Sequence, residues 1–188
     1  MNKWTILFFT IIAIGLSACS EDEEDFGLEN TIHYDGPNQT APVLPAGDYE
    51  AAARFTSTEL SDYVGRKLIE VNFFMANLPQ NCTIRIYDEG GANTPGNVLY
   101  SATVSNSLRP FSWNAHEIRN PIDITGKDLW ISIGVTHSGT QQSIGCDDGP
   151  ARSDGDWLYR DSEQQWSTYR QISGESINWN IRGRVTGE

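Results

Sequence analysis

From residue 49 onward, apolar and polar positions alternate in short runs. Residues 82–87 are the cleanest case: Cys82, Ile84 and Ile86 fall on one face, and Thr83, Arg85 and Tyr87 on the other. A period of two marks a strand with one buried face. Residues 128–135 repeat it, with Leu129, Ile131 and Ile133 facing one way and Trp130, Ser132 and Gly134 the other. Further strands are predicted over 50–55, 67–75, 98–104, 111–118, 143–146, 157–160, 166–171 and 177–185. Turn clusters separate them, 88–96 among them. One short helix is predicted over 57–64. Ser57 or Thr58 caps its start, Glu59 and Asp62 suit its early turns, and Gly65 suits its end. About ten short strands and one short helix predict an all-β fold, a sandwich or a barrel.

The first nineteen residues break the pattern. Lys3 precedes an apolar run from Trp4 to Leu16. That run is too short to span a bilayer comfortably and fits the core of a secretory signal over residues 1–18. Leu16-Ser17-Ala18-Cys19 resembles a bacterial lipobox. The resemblance implies that the Cys19 thiol receives a diacylglyceryl group, with palmitate-type chains holding the mature protein on a membrane. The acidic run Ser20-Glu21-Asp22-Glu23-Glu24-Asp25 resembles the surface-export signal of Bacteroidota lipoproteins. It implies an outer-membrane lipoprotein exposed at the cell surface. Residues 19–48 are expected to be a lipidated acidic tether, rich in Gly, Pro and Asn after the acids. Its stretch Thr31-Ile32-His33-Tyr34 is alternatively a first strand docked on the domain. The β domain is expected over 49–188.

Charge and cysteine usage narrow the function. The 188 residues hold 13 Lys+Arg against 25 Asp+Glu, a net charge of -12. That argues against nucleic acid as a partner, because a basic footprint supplies most such affinity. With Cys19 lipidated, Cys82 and Cys146 remain. In an exported protein they are expected to form a disulfide; two buried free thiols are the alternative.

The second half carries a resemblance. Ile124-Thr125-Gly126-Lys127-Asp128-Leu129-Trp130-Ile131 comes first, then Gly145-Cys146-Asp147-Asp148-Gly149-Pro150-Ala151, Gly155-Asp156-Trp157-Leu158-Tyr159, Trp166 and Asn178-Trp179-Asn180-Ile181-Arg182-Gly183. Together they resemble the jelly-roll-like β-sandwich accessory domain of secreted Bacteroidota proteins, which often trails streptopain-like peptidases, other surface enzymes and adhesins. The resemblance covers residues 48–186 and implies a jelly-roll-like sandwich standing alone on its tether. It brings no site residues with it.

Three kinds of chemistry are open to the chain. Asp147, Asp148, Asp154 and Asp156 supply closely spaced hard oxygens with glycines between, the ligand type calcium takes. The competing reading is a pair of Asp-Gly turns. Trp157, Tyr159, Trp166, Tyr169 and Trp179 crowd into one short stretch. Exposed together, they form a stacking platform for sugar rings, with Asn178, Asn180, Gln164 and Gln165 holding hydroxyls. Buried, they are β-core aromatics. Catalysis has the least support: His33, His116 and His137 are dispersed, and no Gly-x-Ser-x-Gly, His-Glu-x-x-His or phosphate-binding Gly-Lys-Ser/Thr motif occurs. The expected function is a non-catalytic binding or adhesion module at the cell surface, with a glycan as its first ligand. A protein-interaction subunit of an exported complex comes second and a hydrolase third.

Overall fold

The computed structural model describes residues 30–187. The signal segment, Cys19 and the acidic run lie outside the described residues. The described chain is an all-β sandwich of twelve strands, two more than the alternation suggests.

In chain order the strands are β1 (Thr31–Ile32), β2 (Val43–Leu44), β3 (Gly47–Phe55), β4 (Lys67–Met75), β5 (Asn81–Tyr87) and β6 (Val98–Thr103). They continue with β7 (Ser112–Asp123), β8 (Leu129–His137), β9 (Gln141–Gln142), β10 (Trp157–Arg160), β11 (Gln165–Thr168) and β12 (Ile181–Val185). One sheet has four strands in the order β1-β12-β4-β7. The other has six, β11-β10-β3-β8-β5-β6, and β2 pairs with β9 as a small ribbon. All pairings between named strands are antiparallel.

The two sheets bury their apolar faces against each other. Leu68, Val71, Phe73 and Met75 of β4 meet Ile84 and Ile86 of β5 and Ile131 and Ile133 of β8 in one core cluster. Each such side chain contributes about 1.5–3 kcal/mol when fully buried. The core packs tightly over Gly183 of β12. A Cβ there would lie 2.7 Å from both Ile131 Cδ1 and Leu68 Cδ1, so only glycine fits.

Four expectations change. The tether ends earlier than residue 48, since β1 pairs with β12 and Ile32, Tyr34, Asp35 and Ala41 are buried. The docked first strand is what the structure shows. Asp35 draws this segment in: it accepts from Arg182 Nε at 3.0 Å and from Asn180 Nδ2 at 2.7 Å. The helix expected over 57–64 shrinks to a turn and one 3₁₀ segment, Ser61–Tyr63. The Glu59 carboxylate turns back to accept from the Thr56 backbone N–H and hydroxyl, both at 2.9 Å, and Gly65 takes the left-handed φ of 87°.

An α-helix, α1 (Tyr169–Ser173), instead follows β11, where a strand was expected to run on to residue 171. Gln171 Oε1 accepts the Thr168 backbone N–H at 3.2 Å, and Gly174 closes the helix at φ 81°. Finally, Cys82 and Cys146 are not bridged; both are buried free thiols. Cys82 pairs with Val135 inside the six-stranded sheet, whereas Cys146 bridges Thr40 and Trp179. Their backbones belong to different parts of the sandwich. Burial pushes each thiol up to about 12, and for Cys146 the nearby Asp147 and Glu175 add to it.

Candidate functional site

The register of the six-stranded sheet dictates what its outward face carries. One rank across the sheet runs Thr168, Trp157, Ala52, Ser132, Arg85. The next runs Trp166, Tyr159, Glu50, Gly134, Thr83. On one flank Arg54, Trp130 and Tyr87 share a rank; on the other, Asp48, Thr136 and Asn81 do. Bulky groups therefore stand on the two sides, and Ala52, Ser132 and Gly134 form a low centre.

An aromatic layer covers one side of this face. Trp130 is 0% exposed although it points away from the main core. Trp157 lies 5.2 Å from it and Trp166 5.7 Å, centroid to centroid. The Arg54 guanidinium sits 5.5 Å from its ring and is held in turn by Asp128 at 2.6 Å. Tyr159 packs on Trp166 at 5.5 Å. Tyr159 and Trp166 are half-buried, so they present the accessible edge of the layer.

A polar network occupies the centre. Glu50 is buried, and its carboxylate accepts from Arg85 Nη1 at 2.6 Å, from the Tyr87 hydroxyl at 2.6 Å and from the Ser132 hydroxyl. A buried carboxylate needs this many donors to remain there. Arg85 reaches Glu50 by crossing β8 directly over Gly134, where a Cβ would stand 2.9 Å from Arg85 Nη1. Burial, and then the Glu50 charge, push the Tyr87 phenol up, so it stays a donor.

Beside this network lies an open groove of about 280 Å³. Gly134 and Thr83 form its floor, and Arg85 and Tyr159 its walls. Asp48, Asp161, Asn81 and Thr136 lie towards one end. The Arg85 side chain keeps 35% of its surface exposed. The arrangement offers donors, acceptors and one aromatic wall, the recurring features of a small-molecule site.

The structure divides the aromatics expected to form one platform. Trp157, Tyr159 and Trp166 share this outward face, but Trp157 is only 7% exposed. Tyr169 and Trp179 belong to the main core, packed edge to face at 5.4 Å, with Trp179 Nε1 donating to the Trp157 carbonyl at 2.9 Å. The stacking surface is Tyr159 and Trp166 alone. Three of the four amides expected beside it are already engaged, and Gln165 is exposed. Asn178 serves Asp147, Asn180 serves Asp35, and Gln164 serves Asp161.

The four aspartates do not converge. Asp147 is buried and accepts from the backbone N–H groups of Gly36, Gly149 and Asn178, at 3.0, 2.9 and 2.6 Å. Asp148 is exposed. Asp154 accepts from Trp157 Nε1 at 3.0 Å, and Asp156 from the Arg170 backbone at 3.0 Å. Burial pushes the Asp156 carboxyl up. Among the described residues no three His, Cys, Asp or Glu side chains gather to hold a metal ion. Asp147, Asp154 and Asp156 instead fasten turns.

The histidines are likewise dispersed. His33 Nδ1 meets the Asp35 carbonyl at 2.9 Å, His116 Nε2 meets the Tyr100 hydroxyl at 2.7 Å, and His137 is buried against Tyr49. Glu50, Arg85 and Gly134 complete the groove without having stood out as site residues. For Arg85 and Gly134 the signal was present in the outward set of each alternating strand. Comparison with family models, curated proteins and solved structures returns no match.

Proposed function

We propose that this chain is a lipid-anchored surface protein whose β-sandwich is a non-catalytic binding module, and that the groove over Gly134 takes a glycan. One observation carries the reading: the half-buried Tyr159 ring lines the groove with Arg85 and Glu50, and Trp166 packs on it at 5.5 Å. Sugar rings stack apolar C–H faces on aromatic planes, and their hydroxyls pair with charged side chains. The chain's entry point supports it too. Asn30 is tied to Val185 and Arg66 at one end of the sandwich. Asp48, Asn81 and Thr136 lie towards the opposite end, where β3 and β5 begin and β8 finishes. A module anchored through Cys19 would present the groove outward.

A glycan array probed with the full chain, wild type beside Tyr159→Ala and Trp166→Ala, tests this. Specific binding that falls by roughly tenfold in both variants, about 1.4 kcal/mol each, is expected. A silent array, or variants that bind like wild type, overturns it. The second reading, a protein-interaction subunit, rests on edge strand β6, where Val98 and Leu99 are exposed beside an unpaired strand edge.

A further inference from the structure

We propose that the groove ligand is an uncharged sugar bearing a vicinal hydroxyl pair, and that the groove rejects anionic sugars. The inference rests on the glycan reading above. Three carboxylates, Asp48, Glu50 and Asp161, line the groove against the single guanidinium of Arg85. Glu50 and Arg85 neutralise each other at 2.6 Å. Asp48 and Asp161 remain, and no cation in the lining offsets them. Arg160, the nearest basic residue in sequence to Asp161, is held by Glu163 at 2.6 Å. A uronate or sulfate entering here meets two like charges, and a partly sheltered groove screens that repulsion less than bulk water does.

A hydroxyl pair meets the opposite situation. The Thr136 hydroxyl donates to Asp48 Oδ1 at 2.6 Å, and the Gln164 amide donates to Asp161 Oδ1 at 2.8 Å. Each bond fixes its carboxylate. Among the described residues, Oδ2 of each accepts nothing, so it remains open to a donor. Arg85 crosses Gly134 towards β3, the strand that also carries Asp48. One hydroxyl can then donate to a carboxylate while its neighbour accepts from the guanidinium, and Tyr159 supports the ring. Glu50 and Gly134 act as positioning residues, because they set where Arg85 points.

The test is an array that pairs neutral glycans with uronic, sialylated and sulfated counterparts, probed with the full chain and with an Asp48→Asn, Asp161→Asn double variant. Neutral sugars are expected to bind at least roughly tenfold more tightly than their acidic counterparts. The double variant should close most of that gap while its thermal midpoint stays at the wild-type value, both aspartates being exposed. Acidic glycans that bind as well as neutral ones, or a gap the double variant leaves intact, overturn the inference and spare the groove. Silence for every sugar overturns both.

Discussion

A glutamate and an arginine meet on the outward face of each sheet, and they meet differently. On the four-stranded sheet Arg184 grips Glu70 with two nitrogens, Nε to Oε1 and Nη2 to Oε2, both at 2.9 Å. Asn72 donates to the same carboxylate at 3.1 Å, and beside it Arg182 binds Asp35 and lies 4.1 Å over the Trp113 ring. On the six-stranded sheet Arg85 touches Glu50 through one nitrogen, having crossed Gly134 to reach it. A fork-to-fork pair engages the planar geometry of both groups. A one-point pair laid across a glycine keeps the flank of the guanidinium facing outward. The same two residue types thus make a two-point pair on one sheet and, on the other, a one-point pair that lines a groove.

The aromatic rings of the two faces should differ most. Trp130 lies on an outward face but is fully buried, so Trp130→Ala should behave as a core truncation and cost about 3–5 kcal/mol. Trp113, half-buried on the four-stranded sheet, should cost about half as much when truncated, because water already reaches part of its ring. Urea unfolding of the two variants decides the matter. Equal losses would mean that the aromatic layer is an ordinary surface cluster and not a second core.

The two glutamates should also differ in what their loss costs. Glu50→Gln leaves Arg85 without its counter-charge, at a cost of about 1–3 kcal/mol. The exposed part of Arg85 keeps the cost towards the low end. Glu70→Gln should cost about 1 kcal/mol, since Arg184 is 44% exposed at its side chain. The separating readout is glycan binding, which only the Glu50 variant should lose. If Glu70→Gln abolished it as well, the two faces would be coupled, and the groove would not be a local device.

Much of this fold was legible in the alternation of residues 82–87 and 128–135, because a half-buried strand imposes a period of two regardless of its neighbours. The outward set Thr83, Arg85, Tyr87 was readable for the same reason. Its function was not: Glu50 and Arg85 are far apart in sequence, and the register joining them through β8 is a tertiary fact. Trp130 illustrates the limit of the pattern. Alternation assigns it to the outward face correctly, but alternation cannot show that Trp157 and Trp166 will cover it. The helix at Tyr169–Ser173 was legible in principle, through Thr168, Gln171 and Gly174. The neighbouring aromatics favoured a strand and masked that capping signal. Cys82 and Cys146 show a compartment argument exceeding what geometry permits: export allows a bridge, but the backbone has to bring the two thiols together.

The smallest effect separates the sheets by pH. His137 on β8 and His116 on β7 both have their pKa lowered, chiefly by burial. His116 keeps a partner in Tyr100. Neither ring nitrogen of His137 makes a well-aligned hydrogen bond, although the backbone of Leu44 and Pro45 lies near enough to soften its shift. For a histidine whose folded pKa falls below the unfolded value, the unfolded chain binds the proton first. Its contribution to stability is therefore complete above about pH 6.5 and is lost as pH falls through the unfolded value towards the folded one. His137→Phe keeps a ring against Tyr49 and removes the titration. Thermal midpoints measured from pH 7 to pH 5 should then fall less steeply than in wild type, and His116→Gln should flatten the slope by a smaller amount. A His137→Phe profile that overlays wild type would show that the ring finds an acceptor on protonation, and that the six-stranded sheet tolerates a charge at its end as readily as the four-stranded sheet tolerates its arginines.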